Sequence, residues 1–585
     1  MSVDSFSASA AVETTYHAHR PVISARKHVV SSGHYLASHA AFQILEAGGN
    51  AVDAGVAAGV VLGVVHSDQV NIAGVAPMAI YLADRRKTIT IDGLGGWPKA
   101  ATSKLFAENH GGVIPEGLLR TVVPAAPAAW ILALREYGTK SFAEVAQYAI
   151  RFARDGFVMY PFLADRMEEA KHKFARWPSN AAIYLPNGKP PKVGDVFVQS
   201  DLAKSLQYMA DQETAMAGSR EQKLQAAHDA FYKGDIARAI VKFHEENGGL
   251  LTARDLADYK PRIEEPQHTR FNGIDVYSCG FWCQGPALLQ ALNILEGTDL
   301  KSLGHNTPAY IHHVAEALKL AFADRERYYS DPDFIDVPAK ALLSRAYAEE
   351  RKKMIRPDRA WPEMPPHGVI PGYEGEPVKA AKLAPEIDAP LDTSYVAVVD
   401  SFGNAFSATP SDVSTDTIVI PGTGLCPSSR GSQSRGIIGH AASVEPGKRP
   451  RLTPNPALAI KDGEFVLPFG SPGGDSQVQA MLQVLLNIAV FGMDPQTAIE
   501  QPRFISYSHP DSFAPHAYYP GRLSLEGRIA ENTEAALRDL GHDIQRWPDW
   551  IWRAGGVCTV FANLQDGNLH AGADPRRAAA YAIGW

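Results

Sequence analysis

The chain contains 585 residues, of which 45% are hydrophobic and 21% are charged, and its formal net charge is −8 at pH 7. This composition is typical of a globular protein, and the length allows either one large core or several domains. A net negative charge without a long Lys/Arg run excludes an extended nucleic-acid surface, and the sequence has no apolar window long enough to span a membrane.

The N-terminus and the cysteines point to a cellular location. Residues 1–13 lack the basic and apolar segments of a secretory signal. Four cysteines are too few for a disulfide framework, and we interpret them as buried thiols in a reducing compartment: Cys279, Cys283, Cys426 and Cys558. A cytoplasmic protein is therefore predicted.

The first predicted elements are two helices and two strands. Apolar residues at helical spacing predict a helix pair over 34–64, interrupted by Gly48-Gly-Asn50. The second helix is rich in small residues, which favours close packing and burial. Residues 78–82 and 89–91 then read as neighbouring strands.

A long helical region follows. Residues 116–360 are predicted to be mostly helical, with loops near 178–196. Within it, His312, His313 and Glu316 have a helical spacing that suits a metal site. A solvated or pocket-edge helix face is the favoured interpretation because no third ligand is evident. No zinc or dinucleotide motif occurs, so neither a metal nor an organic cofactor is predicted.

Residues 362–392 contain seven prolines and no helical or strand period, which is typical of an exposed tether. A predicted hairpin follows, with strands at 394–399 and 405–409. Thr393 is the residue at the junction. It is either the first residue of a core hairpin or a residue released as a new N-terminus. In the second case its hydroxyl is a nucleophile, and its α-amine, with a reference pKa of about 7.7–8, is the base.

The C-terminal third contains a predicted anion site. Residues 457–460 and 465–469 are predicted strands, and residues from 477 to 491 form a predicted helix. Between them lies Gly470-Ser-Pro-Gly-Gly474. A glycine-rich turn before a helix presents backbone N–H groups that suit an oxyanion.

Several motifs, in register over roughly residues 30–580, carry a family resemblance. They include Gly48-Gly-Asn-Ala-Val-Asp-Ala54, Asp392-Thr-Ser-Tyr-Val-Ala-Val-Val-Asp-Ser-Phe-Gly-Asn-Ala405 and Gly572-Ala-Asp-Pro-Arg576. The chain resembles the gamma-glutamyltranspeptidase family of N-terminal nucleophile (Ntn) hydrolases. The resemblance implies an α+β fold, a four-layer αββα sandwich. It also implies self-cleavage between Asp392 and Thr393, into a large subunit of residues 1–392 and a small subunit of residues 393–585.

The resemblance also implies roles for single residues. Thr393 matches the family nucleophile, and Gly473 and Gly474 match its oxyanion-hole glycines. Ser411 falls where the family has a supporting Thr hydroxyl, although a turn serine after Pro410 is an equal alternative. The two fragments would form a heterodimer, and a dimer of such heterodimers is left open.

The specificity residues depart from the family pattern. Leu94 stands where the family has an Arg for the glutamyl carboxylate. Leu452-Thr453 replaces a Ser-Ser pair, so only Thr453 keeps a hydroxyl, and Gln433 falls near the family's acidic group. Arg430 is the preferred new pocket cation. Arg449 and Arg451, which flank the Leu452-Thr453 site, are further candidates, and of these two Arg451 is the second choice. Each of the three arginines is alternatively interpreted as a surface or structural charge.

These patterns predict a self-cleaving amidohydrolase that acts on a small-molecule amide other than a standard γ-glutamyl compound, similar to oxamate amidohydrolase-like or acylase-like relatives. Two alternatives remain. One is a γ-glutamyl hydrolase or transpeptidase with a rearranged pocket, and the other is a catalytically silent homologue that binds a small molecule. No nucleic-acid or membrane partner is expected.

Overall fold

The computed structural model describes residues 18–374 and 392–585. Its strands are, in chain order, β1 Ile23–Ala25, β2 Val29–Ser32, β3 Met78–Leu82, β4 Lys87–Ile91, β5 Phe157–Val158, β6 Val196–Phe197, β7 Ile263–Glu264, β8 Gln267–Phe271, β9 Ile274–Ser278, β10 Val396–Val399, β11 Ala405–Ala408, β12 Ala457–Lys461, β13 Phe465–Gly470, β14 Phe504–Ser506, β15 Arg522–Leu525, β16 Asp543–Arg546, β17 Cys558–Asn563, β18 Leu569–Ala573 and β19 Tyr581–Gly584.

Two antiparallel sheets organise the described part of the chain. Each has seven strands, in the orders β1-β18-β17-β13-β12-β9-β8 and β19-β2-β10-β11-β3-β4-β7. Strand β10, which follows Thr393, pairs with β2 on one side and with β11 on the other. The predicted nucleophile therefore precedes a central strand that is hydrogen-bonded along both edges.

The helices cover the outer faces of both sheets. They are α1 Tyr35–Glu46, α2 Ala51–Val65, α3 Ser103–His110, α4 Ala126–Tyr137, α5 Phe142–Asp155, α6 Pro161–Glu169, α7 Lys171–Phe174, α8 Pro178–Tyr184, α9 Ser200–Ala215, α10 Arg220–Tyr232, α11 Asp235–Glu246, α12 Ala253–Asp258, α13 Gly285–Leu295, α14 Leu300–Leu303, α15 Pro308–Tyr328, α16 Ala339–Leu342, α17 Arg345–Lys352, α18 Ser476–Ala489, α19 Pro495–Glu500 and α20 Glu531–Asp539. None of these helices is long and apolar enough to cross a bilayer.

The alternation of β10 explains the layers. Val396 and Val398 pack into the core shared with the N-terminal helices, whereas Ala397 and Val399 face the core between the two sheets. Successive strand side chains point to opposite faces, so an apolar residue at every position indicates a strand buried on both sides. The result is the predicted order of helices, sheet, sheet and helices.

The predicted helix pair is confirmed as α1 and α2. Asn50 caps α2 and forms a capping box with Asp53, so the Gly-Gly-Asn break ends one helix and starts the next. Every residue of α2 is buried. A Cβ on Gly55 would lie 2.1 Å from a ring carbon of Phe406 in β11, so this glycine allows the helix to contact the sheet closely.

Two features of the long helical region differ from the prediction. Residues 178–184 form α8 rather than a loop. The strands β5 to β9 in this region were missed, including the hairpin of β8 and β9 at the edge of the first sheet. The Asn272-Gly273 turn between two short alternating segments is a hairpin signal that helical periodicity in the surrounding sequence obscured.

The predicted tether has no helix or strand over residues 362–374, and its remainder up to residue 391 lies outside the described residues. All four cysteines are buried and free, as predicted.

Candidate active site

Thr393 lies fully buried at the entry to β10. Its backbone N–H donates to the carbonyl oxygen of Gln69 at 3.0 Å. Its φ is +88°, a left-handed value that a β-branched residue rarely adopts. Such strain costs about 1–3 kcal/mol and persists only where the surroundings enforce it. The backbone is therefore distorted at the peptide bond that we predict to be cut.

The Thr393 hydroxyl has three polar neighbours. Its Oγ1 lies 2.6 Å from Ser411 Oγ and donates to Asp392 Oδ1 at 2.9 Å. The third is the Gln477 amide at 3.3 Å. The other contacts of that amide favour the orientation with its nitrogen towards the Thr453 carbonyl and its oxygen towards Thr393. The single hydroxyl hydrogen of Thr393 thus has two acceptors within reach, Asp392 Oδ1 and the Gln477 amide oxygen.

The carbonyl of the same peptide bond also has a donor. Gly473 N–H donates to Asp392 O at 3.2 Å. Gly473 and Gly474 form the turn between β13 and α18, with φ values of +120° and +58°. A Cβ on Gly473 would lie 2.3 Å from Ser476 Oγ, so this turn requires glycine. The predicted oxyanion donor thus already contacts the carbonyl that Thr393 would attack.

Arg430 is buried beside these groups. Its Nη2 bonds both the Asp392 carboxylate and Ser411 Oγ, and its Nε lies 3.6 Å from Asp412 Oδ2. Burial raises the pKa of the Asp392 carboxyl, and the Arg430 guanidinium opposes that rise. Arg430 therefore binds the side chain of the residue that Thr393 would release.

The comparisons with known proteins agree along the whole chain. A sequence profile of the family described as Gamma-glutamyltranspeptidase matches residues 37–584. The chain belongs to the gamma-glutamyltranspeptidase family. It is 34% identical over 567 residues to the acylase ACY 1 proenzyme of Pseudomonas sp. (strain SE83), covering 94% of this chain and 92% of that relative. Against the glutathione hydrolase proenzyme of Escherichia coli (strain K12), identity is 32%, with coverages of 95% and 91%.

A solved structure supports the same assignment. The cephalosporin acylase from Bacillus halodurans superimposes with a TM-score of 0.82 at 28% identity, covering 97% of both chains. The protein thus has the Ntn-hydrolase fold and is an amidohydrolase/acyltransferase-type enzyme of the gamma-glutamyltranspeptidase family, as the sequence predicted.

In this family member, the position predicted for the glutamyl-binding Arg lies in an apolar cluster. Leu94 is buried with Val75, Trp282 and Leu452. Val75 exchanges two backbone hydrogen bonds with Ser411, at 3.2 and 3.0 Å, so the cluster lies directly behind the hydroxyl beside Thr393. A leucine there presents no charge to a substrate carboxylate.

Two further predicted specificity positions contact each other. Gln433 Nε2 donates to Thr453 Oγ1 at 2.7 Å, and Thr453 N–H donates to Gln433 Oε1 at 3.2 Å. The reciprocal pair uses both polar ends of the Gln433 amide. These two positions, which the resemblance placed in one pocket, therefore lie together.

Arg451 is placed differently from the prediction. Its Nη2 donates to Glu326 Oε2 at 2.7 Å, and its Nη1 donates to the carbonyl of Arg325 at 3.1 Å. Arg449 is likewise paired, with Asp331 and Asp92. These buried ion pairs use the two guanidinium groups structurally, and of the three predicted arginines Arg430 is the one that lies beside the nucleophile.

In the structure, a third possible metal ligand lies beside the His/Glu pair that the sequence analysis noted on one helix. His312 and Glu316 on α15 meet His542 from before β16, with ligand atoms within 4.8 Å of one another, and His313 is not part of this group. Lys319 Nζ lies 2.8 Å from Glu316 Oε1, so an ammonium already neutralises that carboxylate. The absence of a metal requirement remains a prediction.

Sequence reasoning missed four contributors to the site. They are the Gln69 carbonyl, the Asp392 side chain, Asp412 and the Gln477 amide. Asp412 accepts hydrogen bonds from Ser429 N–H at 2.9 Å and Ser429 Oγ at 2.7 Å, and so anchors the turn that carries Arg430. A backbone acceptor has no sequence signal, but two aspartates next to the predicted nucleophile and next to Ser411 were visible.

Proposed function

We propose that the protein cuts itself between Asp392 and Thr393 and then hydrolyses a small anionic amide, with Thr393 as nucleophile and Arg430 as the anchor of the substrate's negative group. The mature enzyme would be a heterodimer of residues 1–392 and 393–585. Cleavage frees the α-amine that the mechanism needs as its base.

One observation carries this proposal. The hydroxyl of Thr393, the carbonyl of Asp392 and the N–H of Gly473 are already assembled around a single peptide bond. An oxyanion donor is useful only where it meets the carbonyl that the nucleophile attacks. A core hairpin without chemistry would need neither this donor nor the positive φ at Thr393.

The proposed turnover uses the same groups. The free α-amine of Thr393, held by the Gln69 carbonyl, takes the hydroxyl proton as Oγ1 attacks the substrate carbonyl carbon. Gly473 N–H stabilises the oxyanion. The C–N bond then breaks, the leaving amine takes the proton, and an ester to Thr393 remains. Water attacks this ester with the same amine as base, and a carboxylic acid leaves.

A γ-glutamyl hydrolase or transpeptidase is the second candidate. Its support is the 32% identity to the glutathione hydrolase proenzyme of Escherichia coli (strain K12) over 95% of this chain. The apolar cluster around Leu94 favours the first candidate, since it removes the charge that would bind a glutamyl carboxylate.

A screen of the purified protein against a library of small carboxy-amides and γ-glutamyl amides, with release of ammonia or amine as the readout, tests the function. We expect two fragments of about 42 and 21 kDa, the 63.3 kDa chain divided in proportion to length. We also expect turnover of carboxy-amides. A cut protein that hydrolyses nothing in the library would contradict the proposal.

Asp392→Asn is expected to slow self-cleavage by about 10²–10⁴, the usual contribution of a general base. Before cleavage the nitrogen of Thr393 is an amide and cannot take a proton, whereas the Asp392 carboxylate accepts the Thr393 hydroxyl hydrogen at 2.9 Å. Denaturing gels over time measure the rate. Asp462→Asn, at an exposed turn, is the matched control, and cleavage of Asp392→Asn at the control rate would rule out this role.

Gly473→Ala is expected to reduce both self-cleavage and turnover by about 10²–10³, the cost of one lost oxyanion donor. The new methyl group meets Ser476 Oγ and forces the turn to move. Gly492→Ala is the control, because Gly492 also has a positive φ, of +71°, but has nothing within 4 Å of the added Cβ. Rates and thermal melting of both variants are compared. Equal rates in the two would remove Gly473 from the mechanism.

A further inference from the structure

We propose that the natural substrate is a monoamide of a four-carbon dicarboxylic acid, so that its acyl group is of the succinyl type. We further propose that Asp392 occupies the binding position of this acyl group in the uncut chain. This inference rests on the proposed function, because it assumes that self-cleavage and turnover use the same Thr393 hydroxyl.

Self-cleavage and turnover pass through the same kind of ester. When Thr393 Oγ1 attacks the Asp392 carbonyl carbon, the Asp392 carboxylate takes the hydroxyl proton. The peptide C–N bond then breaks, the leaving nitrogen receives that proton, and Asp392 becomes the acyl group of an ester on Thr393. A substrate amide yields an ester on the same oxygen, with its own acyl group in place of Asp392. Asp392 is therefore the first acyl group that the site holds.

The acyl side of this site ends at Arg430. The Asp392 carboxylate bonds Arg430 Nη2, while its carbonyl oxygen receives Gly473 N–H at 3.2 Å. Arg430 Nη1 is buried and has no hydrogen-bond partner among the described residues. Asp412 remains 3.6 Å behind the guanidinium and keeps it in place. A carboxylate entering after Asp392 leaves can use both terminal nitrogens, which is the geometry that guanidinium groups favour.

The length of Asp392 sets the expected chain length. In aspartate two carbons, Cα and Cβ, separate the carbonyl carbon from the carboxylate carbon. A succinyl group has the same separation, a malonyl group is one carbon shorter, and a glutaryl group is one carbon longer. An oxalyl group would place its carboxylate two carbons short of Arg430. A γ-glutamyl group has its carboxylate one carbon too far, and carries an ammonium as well.

The test uses the purified, cut wild-type enzyme and a series of p-nitroanilides with oxalyl, malonyl, succinyl, glutaryl and adipyl groups. Butyryl p-nitroanilide is the matched neutral control, since a methyl group replaces the carboxylate. We expect the succinyl compound to have the highest kcat/KM, about 10- to 100-fold above its malonyl and glutaryl neighbours, and about 10²–10³ above butyryl. Free succinate should inhibit more strongly than malonate or glutarate.

Arg430→Met is expected to remove the preference for succinyl over butyryl, with rates normalised to the cut fraction on a denaturing gel. If that variant is not cut, the p-nitroanilide series and the diacid inhibition of the wild-type enzyme test the chain-length inference without it. A glutaryl or butyryl optimum would overturn the chain-length inference while leaving the amidohydrolase intact. Failure of the cut enzyme on the whole series and on γ-glutamyl amides would instead overturn the proposed function.

Discussion

Thr393→Ala is expected to run on a denaturing gel as one band at the full 63.3 kDa and to have no amide hydrolase activity. The substitution removes the hydroxyl oxygen that we propose attacks the Asp392 carbonyl and, later, the substrate carbonyl. Both events depend on Oγ1, so the loss should reach the detection limit in both assays.

Two controls separate chemistry from folding in this experiment. Thr393→Ser keeps a hydroxyl and should still be cut, although more slowly, because serine is not held in one rotamer as a β-branched residue is. Thr409→Val tests a threonine just beyond β11 whose buried Oγ1 has no hydrogen-bond partner among the described residues, and it should be cut normally. Two bands near 42 and 21 kDa from Thr393→Ala would refute the Ntn mechanism for this chain.

Glutathione and γ-glutamyl anilides are expected to be poor substrates, with kcat/KM about 10²–10⁴ below that of a carboxy-amide. A bidentate Arg–carboxylate pair makes two hydrogen bonds worth about 1.5–3 kcal/mol each, and 1.36 kcal/mol is one factor of ten. Leu94 supplies neither bond. Its buried cluster with Val75 and Leu452 also presents only apolar side chains to an unpaired carboxylate.

The measurement compares γ-glutamyl p-nitroanilide with succinyl p-nitroanilide on the same preparation of cut enzyme. Leu94→Arg is an informative variant, because it restores the family's positive charge. In the folded variant the difference in kcat/KM between the γ-glutamyl and succinyl compounds should become smaller. Turnover of the γ-glutamyl compound at 10⁴–10⁸ M⁻¹s⁻¹, a range typical of natural substrates, would favour the second candidate and leave the role of Thr393 intact.

Residues close together in the sequence were sufficient to predict the secondary-structure elements around the nucleophile. The apolar run after Thr393 predicted β10 and β11, the Gly-Gly-Asn break predicted two helices, and the glycine turn before α18 predicted an N–H donor. Each of these is encoded by residues within a few positions of one another, through backbone propensity, capping and turn chemistry. The family assignment rested on the same short motifs.

Long-range contacts decided the rest of the site. Gln69 reaches Thr393 through a backbone carbonyl, which any residue type supplies, and Arg430 reaches Asp392 across 38 residues of chain. The sequence offered Arg430 and Arg451 as alternative cations, and only the folded chain assigned Arg451 to Glu326. His542 joined His312 in the same way, from 230 residues away. Ion pairs and hydrogen bonds of this kind depend on which surfaces the two sheets bring together, and no local pattern specifies that.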